Sequence, residues 1–384
     1  MYWWKGFDEG EVRGEFKEIR DLSLKVVRIF LLWEDFQPRP REISADALGN
    51  LEAVLDIAQR YRLRIIPTLL IGFMSGLNWI PRWALEEKGP PPMYPSISQG
   101  KLSHYGIRDL YEDPAMLRAE RLLIHAVVSA FKDHPSILAW DISNEIDNLR
   151  IPRSPLVGRG WNEIISREIK RADPHHPVTL GLHQEDLEFD KNFHLQDMAI
   201  ANDFISMHGY PIFSPWADGP MDSDVVPFLN VLAEQLGQKP VLFEEFGVPT
   251  SPPGEPSREI GEVNIFRKRV SLYVANEEEA ARYYSEVLNK LHLVGSLGAL
   301  AWCFSDYDPS IWNRPPLDKA VIERHLGVTR SDGSIKPMGK VLQEFASQER
   351  EVRPSTIKLE ILREKYYLSP YKNLKDSFRR FKKG

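Results

Sequence analysis

ILAWDISNE, residues 137–145, opens as a nearly continuous apolar run and closes on two polar residues, Asn144 and Glu145. A short run that is apolar at almost every position reads as a strand covered on both faces. Glu145 then projects from the end of that strand. Six more runs share the character: residues 25–32 (KVVRIFLL), 64–71 (RIIPTLLI), 177–182 (PVTLGL), 204–208 (FISMH), 240–243 (PVLF) and 297–304 (LGALAWCF). Between and around them, apolar residues recur at helical spacing over 11–22, 45–61, 116–131, 161–169, 225–236, 277–293 and 337–345. Strand and helix in alternation predict an α/β fold with parallel strands, and its closed eight-unit form is the (β/α)8 TIM barrel. The first strand is short or missing, because only ten residues precede the first helical pattern. Either residues 1–4 serve as a stunted strand or the chain starts late.

The connections are lopsided. About 45 residues follow Ile71 and about 30 follow Phe243 and Phe304, whereas segments entering the next strand are short. In a barrel the long side is the C-terminal face, where active sites are built. The long segments carry Trp79, Trp83, Tyr94, Tyr105, Trp216 and Trp312, which suit either loop-core packing or the flat faces of sugar rings. The organisation expected is a catalytic barrel over residues 1–350 and a C-terminal extension over 351–384. Residues 352–384 hold ten Lys or Arg against three Asp or Glu, and read as a basic tail packed on the barrel by Tyr366, Tyr367, Tyr371 and Phe378.

Composition narrows the function. The 384 residues are 42% hydrophobic and 27% charged, an ordinary globular balance. Lys and Arg number 49 against 55 Asp and Glu, a net charge of -6, which argues against a nucleic-acid partner. Cys303 is the single cysteine, so an intrachain disulfide and a cysteine-rich zinc site are excluded. No apolar run reaches membrane-spanning length, and residues 1–10 do not read as an export signal. A cytoplasmic protein with no membrane partner is expected. The pair His175-His176 sits in a proline-bounded turn, and no metal or cofactor is expected.

Two strand ends could carry chemistry. Glu145 closes one, and FEEFG, residues 243–247, closes another about 100 residues later. Glycoside hydrolysis needs such a pair of carboxyls: one acid to protonate the leaving oxygen, and one carboxylate to attack or to activate water. Glu244 rivals Glu245, and strand alternation lets only one of them point inward. Taken singly, a strand-end glutamate reads as a solvated or salt-bridged residue, His208 and Trp302 read as core, and Arg28 as a buried ion pair.

Together the motifs resemble the retaining (β/α)8 glycoside hydrolases, and within them family 5. The resemblance rests on Asn144-Glu145, on Glu245 before Phe246-Gly247, and on Arg28 in Val27-Arg28-Ile29-Phe30. It rests further on His208-Gly209-Tyr210, on Trp302, and on the late string GVTRSDGSIKP, residues 327–337. It covers roughly residues 12–346. The strings FLLWEDFQP (30–38) and FMSGLNWIP (73–81) look like the β-mannosidase and β-mannanase side of that family.

The resemblance implies roles. Glu145 is the acid/base and Glu245 the nucleophile, their carboxyl groups about 5 Å apart as retention requires. Arg28 and Tyr210 favour the ionised Glu245, Asn144 bonds the sugar 2-hydroxyl, His208 orients groups in the pocket, and Trp302 floors it. The activity implied is that of a retaining β-glycoside hydrolase, an exo-acting β-mannosidase on β-glycosides or manno-oligosaccharides. The alternatives are an endo-β-1,4-mannanase, an endo-β-1,4-glucanase, and an inactive sugar-binding relic that lacks the first strand.

Overall fold

The computed structural model describes residues 2–265, 268–348 and 350–383. They fall into two compact units. Met1–Asp21, Lys25–Leu182 and Asp190–Phe204 belong to the first, and Leu22–Leu24, His183–Phe189 and Ile205–Gly384 to the second.

In the first unit, α1 (Glu9–Asp21) is followed by β1 (Val26–Leu32), α2 (Ala45–Arg60), β2 (Arg64–Ile71), α3 (Pro114–Phe131), β3 (Trp140–Asn144), α4 (Pro155–Ala172) and β4 (Val178–His183). The strands pair in parallel, β1 on β2, β2 on β3 and β3 on β4. Apart from Arg64, every residue of β2, β3 and β4 is buried, as their unbroken hydrophobicity predicts. Helix starts follow capping chemistry. The Ser44 hydroxyl accepts from the Ala47 N–H, and the Asp113 carboxylate accepts from the Ala115 N–H with Pro114 next in line.

No strand precedes α1 among the described residues. Residues 3–6 form a turn, so the stunted-strand expectation fails over residues 2–4, and Met1 lies outside the described residues. Side chains, not a ladder, tie this segment down. The Trp4 indole N–H donates to the Phe30 carbonyl at 2.6 Å, and its ring meets Phe36 edge-on at 4.9 Å.

The segment after β2 is not a plain loop. Phe73–Met74, Leu77–Trp79, Ser96–Ser98 and Lys101–Ser103 form a small sheet, and Leu85–Glu86 pairs with Gly106–Ile107. Strands of two or three residues are too short to show alternation. Their turns do leave a sequence signal. Ser75-Gly76 and Gln99-Gly100 all have positive φ (53° and 78°, 52° and 73°), the left-handed pairs that two-residue hairpins require.

The second unit runs β5 (Ile205–His208), α5 (Val225–Gly237), β6 (Val241–Phe246), α6 (Glu277–Leu293), β7 (Gly298–Ala301), α7 (Pro337–Ser347) and α8 (Pro370–Phe381). β5 pairs with β6 and β6 with β7, all parallel. Between β6 and α6 an antiparallel hairpin, Arg258–Ile265 with Lys268–Val274, stands where the sequence reading expects loop. The C-terminal segment packs within this unit. Gln235 bonds the backbone of Ile357 and Leu359, the Tyr366 and Tyr367 hydroxyls donate to the carbonyls of Leu187 and Asp186, and Phe378 meets Trp216 and Phe228. No helix among the described residues is long and apolar enough to cross a membrane.

Candidate active site

Arg28, Asn144 and Glu145 lie in the first unit. Register sets Thr68 of β2 opposite Asp141 of β3, and Thr179 of β4 opposite Asp141 on the other side. Arg28, reaching from β1, donates through Nε and Nη2 to Asp141 Oδ2 at 3.1 and 2.6 Å, and through Nη2 to Asn144 Oδ1 at 2.9 Å. Asp141 also accepts from the Thr68 hydroxyl at 2.6 Å and the Gly181 N–H at 3.0 Å. Asp141 is wholly buried and the Arg28 side chain is 5% exposed, so the ion pair is a dry one. The Asn144 amide donates to the Phe73 carbonyl at 2.7 Å, which fixes its plane from both ends. Asp141 stands inside the string that decides the fold, yet the sequence reading gives it no role. Only pairing across two strands shows that it anchors Arg28.

Glu145 follows β3 with φ 46° and ψ 48°, a left-handed conformation. For a residue with a Cβ this costs about 1–2 kcal/mol, and strain of that kind gathers at functional positions. Its N–H donates to the Gly181 carbonyl at 3.1 Å, which holds the turn against β4. One carboxylate oxygen accepts from the Asn148 amide at 3.2 Å, and the side chain is only partly buried.

His208, Tyr210, Glu245 and Trp302 lie in the second unit. The Tyr210 hydroxyl donates to Glu245 Oε2 at 2.8 Å. His208 is fully buried, with Nδ1 at 3.8 Å from Glu245 and Nε2 at 3.6 Å from Glu244. Glu244 and Glu245 both lie near the His208 ring, at different nitrogens. The β5–β6 register jumps from Met207 opposite Phe243 to His208 opposite Glu245, and the bulge brings both carboxylates to the same histidine. Tyr210 is set from behind. Its N–H donates to Gln184 at 2.8 Å, Gln184 bonds Glu188, and Glu188 accepts the Trp216 indole N–H. Trp302 directly follows β7 and is partly exposed, and its N–H donates to the Phe246 carbonyl at 2.9 Å. Two glycines sit in close approach, Gly209 against side-chain ends and Gly247 against backbone. A Cβ on Gly209 would meet Leu229 at 2.6 Å, and one on Gly247 would meet the Trp302 carbonyl at 2.5 Å.

Other candidates resolve as structure. Trp216 is buried against Phe228 and Phe378, which is packing and not a sugar platform. His176 Nδ1 lies 2.6 Å from Asp173, which also takes the Trp140 indole N–H. Burial pushes the Asp173 carboxyl up, but hydrogen bonds from Trp140, His175 and His176 outweigh it and hold the group down at about 2.

No protein-family model matches the chain. Curated relatives do. The chain is 31% identical over 159 residues to a probable mannan endo-1,4-β-mannosidase C of Aspergillus terreus, covering 36% of this chain and 39% of the relative. It is 25% identical over 290 residues to the mannan endo-1,4-β-mannosidase A of Hypocrea jecorina, covering 65% and 59%. Among solved structures, the exo-β-1,4-mannosidase Op5Man5 of an Opitutaceae bacterium superimposes with a TM-score of 0.72 at 22% identity, over 90% of this chain and 57% of that one. A GH5_18 protein of Streptomyces cattleya, solved with GlcNAc, superimposes with a TM-score of 0.78 at 18% identity, over 99% and 86%. In sequence the chain is similar to mannan endo-1,4-β-mannosidases, and in fold to the two solved structures. The likeness in structure shows the α/β TIM-barrel fold class. The chain spans 39% and 66% of the length of the first two curated proteins it matches.

Proposed function

We propose that the protein is a retaining β-glycoside hydrolase acting on β-mannosides, with Glu245 as nucleophile and Glu145 as acid/base. The observation that carries the reading is the Tyr210 hydroxyl, which donates to the Glu245 carboxylate at 2.8 Å beside His208. A hydrogen bond to a charged acceptor favours the ionised form that a nucleophile needs. In the first step Glu245 attacks the anomeric carbon, the bond to the leaving oxygen breaks, and Glu145 gives its proton to that oxygen. In the second, water attacks the anomeric carbon, Glu145 takes the water's proton, and the bond to Glu245 breaks with the configuration retained. Asn144, its oxygen held by Arg28, bonds the sugar 2-hydroxyl, and Trp302 stacks beneath the ring. The partner is an oligosaccharide or simple β-glycoside.

The preferred mode is exo action, releasing single mannose units. Endo action is the second reading, favoured by the names of the curated relatives, which are endo-1,4-β-mannosidases. Turnover of mannopentaose followed in time separates the two: mannose alone at early times means exo, and mixed shorter oligomers mean endo. Proton NMR of the first-formed anomer tests retention. Glu145→Gln and Glu245→Gln should each remove about 10²-fold or more of the activity. Cleavage left intact in either variant overturns the assignment, and no turnover of any aryl β-glycoside by the unaltered protein favours the binding relic.

A further inference from the structure

Three residues outside the motifs converge on Glu145. Lys191 is buried, its side chain 1% exposed, and it forms an ion pair with Asp147, which is equally buried. Lys191 Nζ also donates to Asn148 Oδ1 at 2.7 Å, and Asn148 Nδ2 donates to Glu145 Oε2 at 3.2 Å. The Asn148 N–H bonds the Glu145 carbonyl at 3.1 Å, so Asn148 grips Glu145 at backbone and side chain alike.

The chemistry of this chain runs one way. An ammonium can only donate, so the Asn148 oxygen must face Lys191 and its NH2 must face Glu145. Lys191 thereby fixes the amide's orientation, and Asn148 presents a donor, never an acceptor, to Oε2. A carboxyl that accepts on Oε2 carries its proton on Oε1. Stability alone is a poor reason for such an arrangement, since an apolar pair of the same volume commonly stabilises a core as well as a buried ion pair does.

We propose that Asn148, oriented by the Lys191–Asp147 pair, is a positioning residue that holds the acid/base carboxyl with its proton on Oε1. This rests on the reading of Glu145 as acid/base. It adds a device that the sequence motifs do not contain.

The test is kcat/KM on aryl β-mannosides whose phenols span a wide range of acidity. A dinitrophenolate departs without a proton, whereas a weakly acidic phenol needs one. Asn148→Ala should lose on the order of tenfold or more with the weakly acidic phenols and stay within about twofold with the dinitrophenyl substrate. Asn148→Asp is the second variant. It keeps an acceptor for Lys191, and so the anchoring, but offers no donor to Glu145. It should show the same steepening, whereas a merely structural role predicts that Asp restores the unaltered profile. Circular dichroism checks that each variant is folded. Equal losses across all leaving groups, or restoration by Asp, overturn the proposal. Glu145→Gln is the control. If it is steep while both Asn148 variants are flat, only the positioning role fails; if Glu145→Gln itself is flat, the acid/base assignment fails and the inference falls with it.

Discussion

Replacing Asp141 by Leu removes the buried carboxylate that Arg28 pairs with. Asp141 is fully buried and accepts two bonds from Arg28, one from Thr68 and one from the Gly181 N–H. Removing one member of a buried pair costs about 3–5 kcal/mol, chiefly because the other charge is left without its counterion. The Thr68 hydroxyl and Gly181 N–H, also orphaned, each add about 1–3 kcal/mol where no water replaces the lost acceptor. Asp141→Leu should therefore destabilise by about 5 kcal/mol or more. Arg28→Met leaves the carboxylate with two donors and should cost about 3 kcal/mol. The double variant removes both charges at once. If lost charge compensation dominates, it should be no less stable than Asp141→Leu, with a coupling of about 3 kcal/mol or more. Guanidinium unfolding at pH 7, followed by circular dichroism on all four proteins, gives the cycle. Losses that add to within about 0.5 kcal/mol would refute the reasoning and show that Arg28 and Asp141 act independently.

Burial pushes the Glu120 carboxyl up to about 8, against an ordinary 4.5, and its bond from the Trp161 indole only partly offsets this. Below pH 4.5 both folded and unfolded chains hold the proton; as pH rises toward 8 only the folded one does, so stability falls by up to about 1.4 kcal/mol per pH unit. Glu120→Gln should lack that fall, gaining a few kcal/mol on the parent between pH 5 and 8, and parallel curves would refute it. Tyr210→Phe removes the donor to Glu245 and should lower kcat/KM by about 10- to 100-fold with little change in unfolding midpoint; an unchanged kcat/KM counts against Glu245 as nucleophile. Gly247→Ala drives a methyl against the Trp302 carbonyl and should cost about 1–3 kcal/mol, read as a shift of the same midpoint.

How much could be read in advance depended on length and periodicity. The seven strands of the two units and the long helices announce themselves because each buries a continuous apolar run or stripe, and burial of that kind is written locally. Boundaries slipped within apolar runs, where hydrophobicity alone does not mark the end of a strand. β3 starts at Trp140, not Ile137, and β7 stops at Ala301. The miniature sheet after β2 and the hairpin after β6 escaped, the first because its strands hold two or three residues and reveal themselves only by the turns at Ser75-Gly76 and Gln99-Gly100.

The sequence by itself determined the strand–helix alternation and the two glutamates at strand ends. These follow from neighbours a few residues away. Only the tertiary structure decided what those groups touch. Asp141 reaches Arg28 across two strands, 113 positions apart. Lys191 fixes Asn148 from 43 positions away. A register jump between β5 and β6 sets Glu244 and Glu245 on one histidine. Hydrogen bonds and ion pairs act over a few ångströms and in fixed directions, so their partners are chosen by strand register and loop path, which no local pattern of polar and apolar residues encodes.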